Sequence, residues 1–507
     1  MRRCRGGRRA AGRSHRIQRS GADQGLAGSA PRNRRRGRRR PSRRNSVVSA
    51  PGIEPRPRET FLVLGLGRTG VAACTHLLAA GHRVWATDRK PRRALPDAAR
   101  ALEAQGLGWI AWQEVTDRVT DFDHLVPSPG IALDSPPLAR ALEAGIQIHS
   151  EIDLAPAAIA HRAVAITGSN GKSTVTALVA AMLGQDEGRQ AVACGNFGTP
   201  LVEAAAVDAP DRYYAVEVSS FQLETTTRAR FAAAVLLNIQ PDHLDRHGSL
   251  EAYSAAKWRI ASLRLPDAPL VACIDDPAVA AGLEGIAPPI LAVTCGPLKA
   301  PGGGLEDGRL VIDTGGGKQE LVSLADLPLP GAHNVLNVLA AATACQAMGA
   351  SLHTIRQALE DFRALPHRLE PVIERGGVLF VDDSKATNVA AALEAARAFS
   401  GRRVLILLGG RDKAGDFRPL ARALATGGAS ALTFGEAGET IARVLDAEGC
   451  PVQRCESLEQ ATEEAVRTAR PGDVVLLSPA CASFDAFDGF AHRGEVFAAL
   501  VRRRGGR

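Results

Sequence analysis

No run of about 18 consecutive apolar residues occurs anywhere in this chain of 507 residues, so its sequence offers no membrane-spanning helix. Cysteine is sparse: nine residues, an odd number, scattered and without a C-x-x-C pair. That spacing excludes a disulfide framework and a zinc ribbon and fits reduced thiols in a cytoplasmic protein. Cys481 has no histidine beside it in sequence, so nothing marks it as a nucleophile. Residues 1–58 lack lysine and any apolar periodicity, and they lack the apolar core of a secretory signal. They hold 19 arginines against two acids, Asp23 and Glu54, so this stretch alone carries +17 of a chain total of +8 and leaves −9 for the rest. Such a composition cannot offset its ordering entropy, and the segment is expected to be a disordered extension without function, begun at an upstream start codon. Its arginine runs at 34–36 and 38–40 would suit an anionic partner. The acidic body is a poor phosphate-backbone track, so no nucleic acid is expected there.

What the chain does have is centred on residues 163–183, AVAITGSNGKSTVTALVAAML. An apolar, β-branched run reads as a buried strand, and Gly168-Ser169-Asn170-Gly171 as a tight turn. Lys172, Ser173 and Thr174 then open a helix of helical apolar spacing. Strand, glycine turn and helix start make a phosphate cradle of backbone N–H groups. Lys172 would reach the outer phosphates and the Ser173 hydroxyl would take Mg²⁺. The loop is a shortened form of G-x-x-x-x-G-K-[ST], with Ile166 where the first glycine would stand.

Upstream, the strand FLVL at 61–64 runs into Gly65-Leu66-Gly67-Arg68-Thr69-Gly70, and a second strand delivers Asp88. This is a Rossmann-type opening, weak by itself, with nothing nearby that reads as hydride chemistry. A nucleotide carried on the substrate is the expected ligand. Downstream, a strand over 213–218 carries Glu217 near its end, placed for Mg²⁺ beside the phosphate loop. Another leads to Asp242 and His243, and Lys257 lies on the helix that follows. From composition alone Lys257 is a solvated charge. Residues 301–318 read as a glycine-flanked surface hairpin, and Asn334 and Asn337 stand on one face of a helix. Beyond 365, strands alternate with helices again, which predicts another parallel sheet. The expected architecture is α/β in three domains after the 1–58 extension. They are a Rossmann-like domain (59–158), a central P-loop ATPase-like domain (159–364) and a C-terminal Rossmann-like domain (365–507).

Taken together, GSNGKST, EVSSFQLE, LNIQPDHLDRH, the lysine of YSAAKWRI, AHNVLN, LPHR, DDSKATN, GGRDK and SPACASFDAFDGFAHRG resemble the Mur ligase family of ATP-dependent amide-forming enzymes over residues 59–507. SPACASFD and DSKATN look like the D-glutamate-adding branch. The resemblance implies ATP and two Mg²⁺ ions as cofactors, with UDP-MurNAc-L-alanine and D-glutamate as substrates joined through an acyl phosphate. It implies a cytoplasmic enzyme of peptidoglycan precursor synthesis and division, expected to be a monomer.

By the same resemblance, Gly168 to Thr174, Asn334, Asn337, Arg368, Asp383 and Lys385 would hold ATP. Ser173 and Glu217 would bind one Mg²⁺. His243 would bind the second together with Lys257, whose amine would be carbamylated. Asn196 would contact the substrate and the transferring phosphate. Gly67, Arg68, Thr69, Asp88, Arg89 and Ser128 would hold the UDP part, and Thr387, Lys413, Ser483 and Phe490 D-glutamate. Arg68 stands where the family usually has an apolar residue. The rival readings are another Mur ligase or a folate polyglutamate ligase, a nucleic-acid-binding ATPase using the basic extension, and an NAD oxidoreductase resting on the first glycine turn alone.

Overall fold

Residues 59–186, 188–299, 301–329 and 331–503 are described by the computed structural model, and the arginine-rich extension lies outside them. Three sheets follow one another along the chain. The first has five parallel strands, β1 (Thr60–Leu64), β2 (Arg83–Thr87), β3 (Gly108–Trp109), β4 (His124–Pro127) and β5 (Gln147–Ile148), in the order β3-β2-β1-β4-β5. The order reverses at β1, so the glycine turn that follows β1 lies at the switch point where open α/β sheets take ligands. Gly70 is required there, because a Cβ on it would run into the Gly65 carbonyl oxygen.

The central sheet has nine strands: β6 (Ala163–Thr167), β7 (Gln190–Gly195), β8 (Arg212–Glu217), β9 (Ala233–Leu236), β10 (Leu270–Cys273), β11 (Ile290–Val293), β12 (Gly302–Glu306), β13 (Arg309–Asp313) and β14 (Gln319–Ser323). They lie in the order β14-β13-β12-β11-β10-β9-β6-β8-β7, parallel from β7 to β12 and antiparallel at β13 and β14. β6 is buried on both faces. Val164 and Ile166 pack with Val175, Leu178 and Val179 of the helix Lys172–Gly184, while Ala163 and Ala165 face the opposite core. This is why its sequence reads as a continuous apolar run.

The glycine-rich stretch does form the expected hairpin, β12 pairing antiparallel with β13, but the hairpin continues this sheet and is not a surface appendage. β12 pairs in parallel with β11, and Gly302, Gly303 and Gly304 are buried. A Cβ at Gly303 would press on Thr343 and Leu339 of the helix Ala332–Ala347. The missing side chains let that helix lie flat against the strand, so the glycines here mark close packing and not an exposed turn.

The third sheet contains β15 (Glu370–Arg375), β16 (Val378–Asp382), β17 (Val404–Gly409), β18 (Ser430–Phe434), β19 (Val452–Arg454) and β20 (Val474–Ala480), in the order β15-β16-β20-β17-β18-β19. Only β15 is antiparallel. The carboxyl ends of β16, β17 and β20 therefore lie side by side and carry the DDSKATN, GGRDK and SPACASFD turns. No helix among the described residues is long and apolar enough to cross a membrane.

Candidate active site

The phosphate loop is held from outside as well as by its own strand. Ser169 N–H donates to the Asn238 carbonyl at 2.9 Å, and Asn170 N–H to the Asn238 side chain at 2.8 Å. The Ser169 hydroxyl lies 3.0 Å from both the Gln240 carbonyl and the Tyr253 hydroxyl. Gly171 begins the helix at φ +83°, and a Cβ there would collide with the Asn337 amide oxygen. The loop is thus wedged against the helix that carries Asn334 and Asn337.

Lys172 Nζ folds back over its loop and donates to the Gly168 and Ser169 carbonyls at 2.9 and 2.8 Å. Lys257, which composition had placed at the surface, is 1% exposed and donates to the same Gly168 carbonyl at 2.7 Å. Its pKa lies well below the ordinary lysine value, first through burial and then through Lys172, with Asp242 and Glu217 opposing. Glu217 is buried between two donors: Ser173 Oγ at 2.6 Å and Asn196 Nδ2 at 2.7 Å. His243 occupies a left-handed backbone position (φ +55°) next to Asp242, its ring edge-on to Phe221 at 5.0 Å. Burial brings its imidazole down to about 4, and Lys413 and Lys172 push the same way against Asp242. It is therefore neutral at physiological pH, with a nitrogen lone pair to offer.

Next to the loop opens a cavity of about 440 Å³. Asn170, Gly171 and Thr174 line it beside Asn334 and Asn337, and Arg368, Asp383 and Lys385 of the third domain form the facing wall. Asn337 Nδ2 donates to Asn334 Oδ1 at 2.9 Å. The Asp383 carboxyl, raised to about 7 by burial, accepts from Ser478 Oγ at 2.8 Å and from Leu369 N–H at 3.2 Å. Burial lowers Arg368 as well. Lys385 Nζ sits 3.8 Å over the Phe490 ring, and burial brings it down to about 8. Lys413 reaches across to Asp242 at 3.4 Å, and Ser483 is buried in its turn. Thr387 follows Lys385 by two residues, and its N–H donates to the Lys385 carbonyl at 2.9 Å.

The residues expected to hold the UDP part gather round the first glycine turn. Gly67 begins the helix Arg68–Ala79 and is exposed. Arg68 reaches Thr199 of the central domain at 3.2 Å. Thr69 and Ser128 share a small cleft with Phe221 and Gln222, and Ser128 Oγ donates to the Gly65 carbonyl at 2.9 Å. Asp88 uses one carboxylate oxygen on Leu66 N–H at 2.7 Å and the other on Lys90 N–H at 2.8 Å, which fixes the turn. Arg89 lies 5.0 Å over the Trp112 ring.

Comparisons with known proteins agree in each of the three domains. Residues 59–150 match the MurD-like N-terminal domain of Mur ligases, 166–345 the Mur ligase middle domain, and 367–481 the Mur ligase glutamate ligase domain. The chain is 40% identical over 442 residues to the UDP-N-acetylmuramoylalanine–D-glutamate ligase of Acidobacterium capsulatum, covering 87% of this chain and 95% of that one. It is 38% identical to the same-named enzyme of Koribacter versatilis, covering 87% and 97%. The chain belongs to the Mur ligase family. Its fold is also that of the UDP-N-acetylmuramate–alanine ligase of Thermotoga maritima, at TM-score 0.53 and 19% identity over 89% of this chain and all of that one. A pseudomurein peptide ligase of Methanothermus fervidus gives TM-score 0.55 at 17% identity, over 88% and 100%.

This Mur ligase is an ATP-dependent enzyme that forms an amide bond, and its cleft fits the nucleotide. Backbone N–H groups at a helix start, a lysine and an arginine converge where phosphates would lie. The Ser173 hydroxyl and the Glu217 carboxylate lie 2.6 Å apart, an oxygen pair of the kind that suits Mg²⁺.

Three residues of this site had no role in the sequence reading. Arg493 is fully buried, although burial lowers it only to about 10. Its guanidinium donates to the Ser384 hydroxyl and carbonyl at 3.0 and 2.9 Å, to the Cys481 carbonyl at 3.1 Å, and to those of Gly409 and Ala482 at 3.4 Å. It thereby ties together the turns after β16, β17 and β20. A lone arginine in a helix carries no local signal of this. Asp242 and Asn388 lay inside recognised motifs, but their partners are in another domain.

Proposed function

We propose that this chain joins D-glutamate to UDP-MurNAc-L-alanine, with ATP hydrolysed to ADP and phosphate. The observation that carries the reading is the cluster of Ser173, Glu217 and Asn196 beside Lys172, behind the loop residues Asn170, Gly171 and Thr174 that line the cavity. Triphosphate and carboxylate are both anions, and they approach only where cations and N–H donors cancel their repulsion. Lys172 and Arg368 hold phosphate oxygens, and Asn196 orients the substrate carboxylate toward the γ-phosphorus. Glu217 and Ser173 would hold one Mg²⁺, and His243 with Lys257, once carbamylated, would hold the second. When bound, these ions supply the positive charge that an in-line phosphoryl transfer needs.

The chemistry balances in two steps. A carboxylate oxygen attacks the γ-phosphorus, the bond to ADP breaks, and an acyl phosphate forms. The D-glutamate amine then attacks the acyl carbon, phosphate leaves, and the nitrogen gives up its proton. Lys413 pairs a carboxylate of the incoming amino acid, with Thr387, Ser483 and the Phe490 ring around the rest. The UDP part is held at the first glycine turn by Gly67, Arg68, Thr69 and Ser128. Asp88 shapes that turn, and Arg89 borders it. The enzyme works in the cytoplasm, as a monomer, on a peptidoglycan precursor.

The deciding experiment measures phosphate release by the full chain with ATP, Mg²⁺, UDP-MurNAc-L-alanine and one amino acid at a time. D-Glutamate alone is expected to support turnover. Turnover with L-alanine, L-glutamate or diaminopimelate instead, or none with D-glutamate, would overturn the assignment.

A further inference from the structure

Asn388 is the last residue of the DDSKATN turn, and its side chain works in two directions. Its Oδ1 accepts Ala391 N–H at 2.9 Å and caps the helix Val389–Arg397 of the third domain. That bond fixes which way the amide faces, so the NH₂ end points across the interdomain gap. There it donates to Asp242 Oδ2 at 3.0 Å and to Asn170 Oδ1 at 3.1 Å. Asn170 belongs to the phosphate loop, and its own NH₂ is anchored on Gln240 at 3.2 Å. Asp242 is 8% exposed and also takes Lys413 on its other oxygen at 3.4 Å. Apart from its neighbour His243, the hydrogen-bond partners of this carboxylate are both in the third domain. If that domain moved away, a nearly buried carboxylate would lose both, and Asn170 would lose its donor.

We propose that Asn388 and Asp242 are positioning residues that register the third domain on the phosphate loop, and that Asp242 holds Lys413 in place until the carboxylate of the incoming amino acid replaces it. This rests on the reading of Lys413 as the residue that binds that amino acid. The contact adds a direct protein path from the phosphate loop to the acceptor residues, beside the nucleotide that spans both domains. Phosphate bound at the loop fixes Asn170, Asn170 aligns Asn388, and Asn388 sets the turn that carries Lys385 and Thr387. Acceptor binding is then tightest when the nucleotide is already in place.

The test uses the full chain and three variants. Asn388→Asp keeps the helix cap but faces Asp242 with a second carboxylate. Asn388→Ser keeps the cap and removes the bridging NH₂. Asp242→Asn with Asn388→Asp exchanges acceptor and donor across the gap. The KM for D-glutamate is expected to rise about 30-fold in Asn388→Asp and about tenfold in Asn388→Ser, as for loss of one hydrogen bond to a charged group. The KM for UDP-MurNAc-L-alanine should stay within about twofold, since the other two domains hold it. The exchange should recover about tenfold of the Asn388→Asp loss. Small-angle scattering with Mg²⁺ and adenylyl imidodiphosphate should show contraction of the parent and none of Asn388→Asp. The proposal fails if Asn388→Asp contracts like the parent, if both KM values rise together with a lowered Tm, or if the exchange recovers nothing. If the parent contracts but makes no product with D-glutamate, the proposed function fails, and the scattering comparison still decides the register contact.

Discussion

Lys172 and Lys257 donate to one carbonyl oxygen, that of Gly168, at 2.9 and 2.7 Å. Two ammonium groups do not share a buried acceptor without cost. Burial and then Lys172 hold Lys257 well below the ordinary lysine value, which favours the neutral amine, the form that reacts with CO₂. Lys257→Ala is therefore expected to lower turnover by about 1000-fold, the scale of losing a charged group in contact with the transition state. Adding formate or acetate should restore part of it by replacing the missing carboxylate. Unchanged turnover, measured as ADP release, would return Lys257 to a packing role.

In the proposed reaction Lys172 meets the phosphates directly. Lys172→Met preserves length and apolar volume and removes the charge. The expected loss in kcat is about 100- to 1000-fold with the KM for UDP-MurNAc-L-alanine little changed. A rise in that KM alone would mean that Lys172 serves substrate binding and not phosphoryl transfer.

Glu217 accepts from Ser173 and Asn196 at once. In Glu217→Gln the amide keeps one acceptor and loses the charge that would hold Mg²⁺. The Mg²⁺ concentration for half-maximal activity is expected to rise about tenfold or more, as for loss of a charge-assisted contact. A titration of rate against Mg²⁺ reads this directly, and an unshifted curve would remove Glu217 from the ion's ligands.

The charge on Lys385 gives a pH test. Burial brings its ammonium down to about 8, so it is charged below that pH and neutral above it. ATP, which Lys385 is proposed to hold, is an anion, so the KM for ATP should be flat at neutral pH and rise by about tenfold per pH unit above the folded pKa. Lys385→Arg holds its charge throughout and should move that alkaline limb upward. A limb that stays in place in Lys385→Arg belongs to another group.

Gly70 tests the first domain. Alanine normally favours a helix interior over glycine by about 1 kcal/mol. Here its Cβ would overlap the Gly65 carbonyl, and overpacking against rigid backbone costs about 1–3 kcal/mol or more. The clash wins, so Gly70→Ala is expected to lower the Tm and raise the KM for the nucleotide sugar. A raised Tm would show that the turn can relax.

The phosphate loop was legible in the sequence because its determinants are local: an apolar strand, a glycine turn and a lysine at a helix start, all within residues 163–173. The parallel sheets were legible for the same reason. Lys257 was not, because a lysine among alanines on a helix reads alike whether its face meets water or a phosphate loop. Only the family resemblance marked it. The 301–318 stretch gave its hairpin but not its burial, because glycine signals both turns and close packing, and the neighbour that decides between them, the helix Ala332–Ala347, comes later in the chain. Asp88 stood at the expected spacing, yet its oxygens close the turn from which it was meant to reach a ligand. Asp242 and Asn388 depend on how two domains meet, which no local pattern encodes.

The single guanidinium that threads three turns of the third domain makes those turns one mechanical part. Grafting the turn after β20 from an enzyme with another acceptor would leave Arg493 holding a foreign carbonyl path, and the remaining two turns would shift with it. The three turns are thus coupled through one side chain, and a change of backbone path in any one of them reaches the other two.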